Sequence, residues 1–446
     1  MDTIELFNGG VRFNKYLILV DFILIIHFIY DWYLIYKKTG RTLDYWTLTM
    51  SLTYFLPFLI MYPFASSVYN VVSVGGNVSI IQDVIDTAYI IFMIGYISMY
   101  LGRYLYIRNR TNTAIYKVLI NPVKQTLTKS FITAVKSSLI SRILCILYFI
   151  GLLAILASGL GDGSSDIRAV FQANPAIRAI YNFVLILSSI VSLILIARVF
   201  QYRYFIDKVL LFLFFIITLF IGARAFLAQP LIYLFGFYVF YNKMGKINLI
   251  KIGIIGFSGL FLGMGLSLFR SGDLSLKGAL SGFGEQIFYG NSYSDLRDFA
   301  WVYAYWDKSL LFGKTYLAAF MSFIPSYFSD YRTQWAAGKF TAVTVGFDPI
   351  IHPGLRPGIF GESFFNFGYL GVVFLGTILG YAYKFIDDSI KISSKIPNKV
   401  FGISSIVSTL FIANLTITSG FFALYVFLVV LVLVKLFSKA LKLFSR

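Results

Sequence analysis

The chain has one cysteine in 446 residues and little charge, with Asp, Glu, Lys and Arg making up 13% of it. A lone thiol, Cys145, excludes a disulfide framework and any cysteine-based metal cluster. Its apolar surroundings mark it as a small buried side chain. So few charges beside 58% hydrophobic residues and a mean hydropathy of +0.78 exclude a soluble globular chain of this length. The period-two alternation of an outer-membrane barrel is missing too, because a run such as 421–433 is apolar on every face. No GxxxxGK[ST] motif occurs, so any energy must come from a substrate or an ion gradient.

What is present is a series of apolar runs of helical span length, near 16–36, 46–64, 86–107, 139–158, 181–200, 208–222, 225–241, 249–269, 367–386, 400–418 and 420–437. They predict an all-α polytopic membrane protein of about 11 transmembrane helices. No acid occurs between Thr87 and Gly161, whereas Arg108, Arg110, Lys117, Lys124, Lys129 and Lys136 crowd the connection after the third run. The positive-inside rule makes that connection cytoplasmic and fixes every other one. Segments then inside carry 25 Lys and Arg against 4 Asp and Glu, and those outside 13 against 14. The net charge of +18 is therefore a matter of topology beside anionic membrane lipids, with no nucleic-acid partner implied. The amino terminus is expected outside and the carboxy terminus inside. No cleavable signal is read, because the first run is long and interrupted by Asp21, His27 and Asp31. Three parts follow: residues 1–269 with eight spans, a large external loop at 270–366, and residues 367–446 with three spans and a basic tail.

The external loop holds most of the polar apparatus. Residues 295–306 have helical periodicity with Phe299, Val302 and Trp306 on one side, which predicts an interfacial amphipathic helix. Residues 310–328 are apolar, but counting them as a span would invert the later loops, so a re-entrant or surface-lying helix is expected. Residues 345–368 interleave Pro349, Pro353 and Pro357 with five glycines, a pattern that predicts a shaped, non-helical loop. That loop presents His352, Arg356 and Glu362 together.

Two short runs flank Gly222-Ala223-Arg224-Ala225 and predict a helical hairpin whose arms, about 22 Å long, fall short of a 30 Å hydrocarbon core. Arg224 is then expected just below the outer surface, where an arginine is costly unless it meets water or an anion. Arg270 closes the eighth run at similar height, and Arg356 and Arg332 are available from the loop. Several guanidinium forks at one depth suit a lipid diphosphate, each charge-assisted hydrogen bond contributing about 1.5–3 kcal/mol.

The hairpin around Arg224, the late external loop, and the closing stretch Pro357-Gly358-Ile359-Phe360-Gly361-Glu362-Ser363-Phe364-Phe365-Asn366-Phe367-Gly368-Tyr369-Leu370-Gly371 resemble the Wzy-type O-antigen and oligosaccharide repeat-unit polymerases. The likeness covers most of the chain in topology and about thirty residues in sequence. It implies a GT-C-like membrane glycosyltransferase that moves a growing glycan from undecaprenyl diphosphate onto a new lipid-linked unit, at the external face of the bacterial inner membrane. No nucleotide sugar is involved, and a chain-length-regulating co-polymerase is an expected partner. For such a reaction the charge pattern puts Arg224 and Arg270, with Arg356 and Arg332, at the diphosphate, and leaves His352 and Glu362 as alternatives for the base.

No cofactor is expected and no metal site, because the external acids never form a close Asp-x-Asp pair. Trp301, Trp306 and Tyr331 either stack on sugar rings or anchor at the interface. Other functions fit the same topology. An O-antigen ligase would use the same donor with another acceptor. A flippase or secondary transporter would use Asp21, His27 and Asp31 as a proton relay, although those residues serve equally as helix-to-helix hydrogen bonds. A structural partner in polysaccharide assembly would need none of these side chains.

Overall fold

The computed structural model describes residues 14–62, 78–108, 121–159, 175–221, 230–254 except 232, 249 and 252, 294–324, 328–349, 354–395 except 394, and isolated positions from 402 to 436. Helices dominate and no strand occurs among the described residues, as expected of an all-α membrane protein. Four helices are long and apolar enough to cross a bilayer: α1 (Lys15–Thr39), α3 (Val78–Arg108), α5 (Ser138–Gly159) and α12 (Gly358–Ser393). Apolar but shorter are α2 (Tyr45–Met50, continued by a π-helical Ser51–Ile60) and part of α6 (Pro175–Tyr202). Other helices are α4 (Asn121–Lys136), α7 (Phe205–Ile221), α8 (Asp295–Tyr305), α9 (Lys314–Phe320), α10 (Asp330–Trp335) and α11 (Ala337–Thr344). The runs expected at 249–269, 400–418 and 420–437 lie mostly outside the described residues.

The chain divides into two compact units, Met1–Arg110 with Gly245–Phe385, and Thr111–Met244 with Ile386–Arg446. In the first, local chemistry sets the helix ends. Asn14 accepts from the backbone N–H groups of Tyr16 and Leu17 to start α1, and Gly40 ends it at φ 62°. Asp44 and Thr47 form a capping box on α2.

Polar residues join α1 to α3. Tyr89 donates to the Asp21 carboxylate, His27 Nδ1 lies 3.2 Å from the Tyr96 hydroxyl, and Arg103 pairs with Asp31 at 2.5 Å. The three intramembrane polar residues of α1 are thus engaged in helix-to-helix hydrogen bonds. Where α3 crosses α12 the backbones nearly touch: a Cβ on Gly102 would lie 2.0 Å from the Thr377 carbonyl oxygen, and one on Gly380 1.9 Å from that of Met99.

The second unit packs α5, α6 and α7 around a core of Cys145, Tyr148, Leu187, Val191 and Phe214, and sets Phe131, Ala134 and Val135 of α4 against Ile190 and Ile194 of α6 in a second cluster. Arg198, 3% exposed, donates through Nε to both oxygens of Asp207 at 3.0 Å and through Nη1 to the Val135 carbonyl at 2.6 Å. That arginine is consumed in a structural clasp.

Candidate functional site

The described part of the loop converges on α8. Its periodicity yields the expected helix, yet the helix is buried, with Leu296, Arg297, Asp298, Phe299, Ala300, Trp301 and Val302 all inside. Phe299 is the reason. Its ring meets Phe92 of α3 at 5.4 Å and Phe365 of α12 at 5.2 Å, so the face expected on the membrane surface is covered by protein.

Trp301 and Trp306 share that burial, at 6% and 7% exposure. Trp301 packs edge-on with Phe347 and Trp306 with Phe365, centroids 5.4 and 5.0 Å apart, so both rings are part of the protein interior. Tyr331 lies half-buried on α10.

A second departure concerns residues 345–368. The stretch is not non-helical throughout, since α12 begins at Gly358 and carries Glu362 in its second turn. Pro357 is the last proline of the stretch, and a proline just ahead of a helix is compatible with its start. A sharp break comes ten residues later, at Gly368 (φ 63°, ψ −152°).

Ahead of α12 the backbone is pinned from two sides. Gly354 takes φ +98°, and a Cβ there would lie 2.0 Å from the Gly338 carbonyl oxygen. The Thr341 hydroxyl accepts from the Leu355 N–H at 3.0 Å. Next along, the Arg356 N–H donates to Asp298 Oδ2 at 3.2 Å, and its guanidinium Nη2 donates to Ser294 Oγ at 3.2 Å. Ser294 in turn donates to Asp298 Oδ2 at 3.0 Å. Arg356 is nonetheless exposed. A cation held in place while open to solvent is suited to an anionic ligand.

Two carboxyls of α8 differ in role. Asp298 accepts from Arg297 Nε and Nη2 at 3.2 and 3.1 Å, besides Ser294 and the Arg356 backbone, and serves as an anchor. Asp295 is pushed up from 3.8 to about 6, chiefly by burial, with the Arg356 guanidinium pulling down and Asp298 pushing up. A carboxyl titrating there is able to take up a proton near neutral pH. In the sequence neither acid is marked by more than its place at the start of a helical run. Their i, i+3 spacing behind Ser294 was the available signal.

Glu362 is 9% exposed and accepts from the Thr315 hydroxyl at 2.7 Å. Asn366 Nδ2 donates to Thr315 Oγ1 and to the Glu362 carbonyl, both at 2.8 Å. Arg332 sits on α10, where its Nη1 donates to the Ile324 carbonyl. The structure therefore brings Arg356 together with Ser294, Asp295 and Asp298, and Glu362 with Thr315 and Asn366. His352, Arg224 and Arg270 lie outside the described residues. Among the described residues, no group of three or more His, Cys, Asp or Glu side chains is arranged to hold a metal ion.

No protein-family model, no curated protein and no solved structure matches the chain.

Proposed function

We propose that the chain is a membrane glycosyltransferase of the oligosaccharide-polymerase type, with about 11 spans and a GT-C-like architecture, set in the bacterial inner membrane with its amino terminus outside. The observation that carries this reading is Arg356: an exposed guanidinium fixed at Ser294 beside a carboxyl that titrates near 6. Arg224 and Arg270, outside the described residues, are the other guanidinium groups proposed to meet the lipid diphosphate.

In the reaction, the bond between the anomeric carbon of the growing glycan and its diphosphate oxygen breaks. A new bond forms to a hydroxyl of the incoming lipid-linked unit, and undecaprenyl diphosphate leaves as an anion. Arg356, Arg224 and Arg270 offset the charge that develops on the diphosphate, with Arg332 nearby in sequence on α10. The acceptor proton passes to a base, for which His352 and Glu362 remain candidates and Asp295 joins them. No nucleotide or metal is required by these steps, and a chain-length-regulating co-polymerase is the partner that the resemblance suggests.

Asp21, His27 and Asp31 give little support to a transporter, because Tyr89, Tyr96 and Arg103 already engage them.

The test is reconstitution of the purified protein in liposomes with an undecaprenyl-diphosphate-linked repeat unit, reading product length on a gel. Wild type should give a ladder, and Arg356→Ala should lower its rate about 10- to 150-fold, the loss of one charge-assisted contact. A folded wild type silent with the repeat unit and also with a lipid A core acceptor defeats the proposal.

A further inference from the structure

The short helix α9 and the 3₁₀ turn after it (Met321–Phe323) have two faces of opposite character. Inward, Thr315 and Ala318 are buried, and Thr315 holds Glu362. Outward, Phe312, Leu317, Phe320 and Phe323 are exposed, Phe312 to 75%. Residues 310–324 contain a single charge, Lys314, whose ammonium lies 4.1 Å from the centre of the Trp335 ring.

Such a face needs an occupant, and its attachment to α12 indicates which. The Leu311 and Phe312 N–H groups donate to the carbonyls of Phe365 and Asn366 at 3.0 and 2.9 Å. Tyr316 stacks on Phe367 with centroids 6.2 Å apart and planes 7° apart. These contacts tie the segment to α12 just before the Gly368 break, where the long apolar part of α12 begins. Below the break, Leu370, Phe374 and Ile378 recur at a spacing of four and are exposed, Leu370 to 82%. That is the stripe by which a membrane helix faces acyl chains. Phe367 joins the two surfaces without interruption, being exposed itself and in contact with Tyr316.

We infer that the segment Phe312–Phe323 is immersed in the leaflet at which α12 enters the membrane, with lipid acyl chains as the occupant of its Leu317, Phe320 and Phe323 face. Seven residues of α9 at 1.5 Å each reach about 10 Å, too little to cross the core, so the helix rests in the leaflet and does not re-enter. Lys314 sits at the headgroup edge, its charge facing an aromatic ring, as interfacial cations do. The inference is independent of the reaction proposed above. It gives the bilayer a direct part in placing Thr315, and through it Glu362.

The chain's single cysteine makes the test direct. In a Cys145→Ser background, a cysteine is placed at Leu317, Phe320 or the exposed Ser309 and labelled with an environment-sensitive fluorophore. Proteoliposomes are prepared at about one protein per vesicle, with lipids brominated along their acyl chains. Labels at 317 and 320 should emit blue-shifted and be quenched about twofold or more relative to Ser309. Emission as water-like as that at Ser309, without quenching, overturns the inference. Blue-shifted emission that escapes bromolipid quenching and appears only at high protein density overturns it in favour of a second copy of the chain. Both outward residues are exposed, so their replacement spares the buried contacts, and unchanged thermal unfolding in detergent certifies the fold.

Discussion

At the scale of the residue, Asp295 is the group whose environment most clearly sets a pH response. Its folded-state value, about 6, lies above the ordinary 3.8, with burial the main cause. The protonated form therefore favours the folded state. Its stabilisation is fully present below about pH 4 and is lost as pH rises through about 6. Asp295→Asn should flatten that part of the stability profile and raise the stability near pH 7.5 by at most about 3 kcal/mol, seen as a higher unfolding midpoint. Thermal unfolding from about pH 4 to pH 8 checks this, and an undiminished slope in the variant assigns the response to another group. Thr315→Val is a different case, because it leaves the Glu362 carboxylate buried without that hydroxyl. It should cost about 1–3 kcal/mol, measured as a lower denaturation midpoint, while Thr315→Ser retains most of the wild-type value.

Among the elements, the crossing of α3 and α12 has the least room. Gly380→Ala drives a methyl into the Met99 carbonyl and should destabilise by about 1–3 kcal/mol. Gly253→Ala, with nothing within 4 Å of the added carbon, should be neutral or stabilising by up to about 1 kcal/mol. Equal effects of the two in detergent thermal unfolding would remove the crossing from the account. Elements were legible in the sequence where an apolar run has the length of a span, as within 15–39 and 78–108, or where periodicity marks one face, as in α8 over 295–305. What covers an element was not legible. The apolar side of α8 has the pattern of a membrane-surface helix, and only the approach of Phe92 and Phe365 turns it into core. The same limit applied at the start of α12, where three prolines spread a non-helical expectation over residues that lie beyond the last of them. In the candidate site, Arg356 and Glu362 stood out by composition. Ser294, Asp295 and Asp298 did not, because their importance comes from where Arg356 folds back.

On the scale of the whole molecule, polar contacts attach α1 to its unit alongside the stacking of Phe28 on Phe55, and among them Asp31 forms an ion pair with Arg103, whose guanidinium also lies 4.9 Å from the Trp46 ring. Asp31→Leu or Arg103→Met alone should each cost about 3 kcal/mol by stranding the partner, and the double variant should recover much of that loss. A double-mutant cycle on unfolding in nanodiscs measures it, and strictly additive losses would mean that the pair is not coupled. The same attachment bears on how the protein is made. An aspartate at the centre of a membrane helix raises the free energy of insertion by about 2.5–3.5 kcal/mol, and α1 carries Asp21, His27 and Asp31 before Tyr89, Tyr96 and Arg103 have been synthesised. Until α3 leaves the ribosome, α1 has no partner for these groups. Its release from the insertion machinery into lipid is then expected to await a helix some seventy residues later, so that the order of synthesis would enter the folding of the unit.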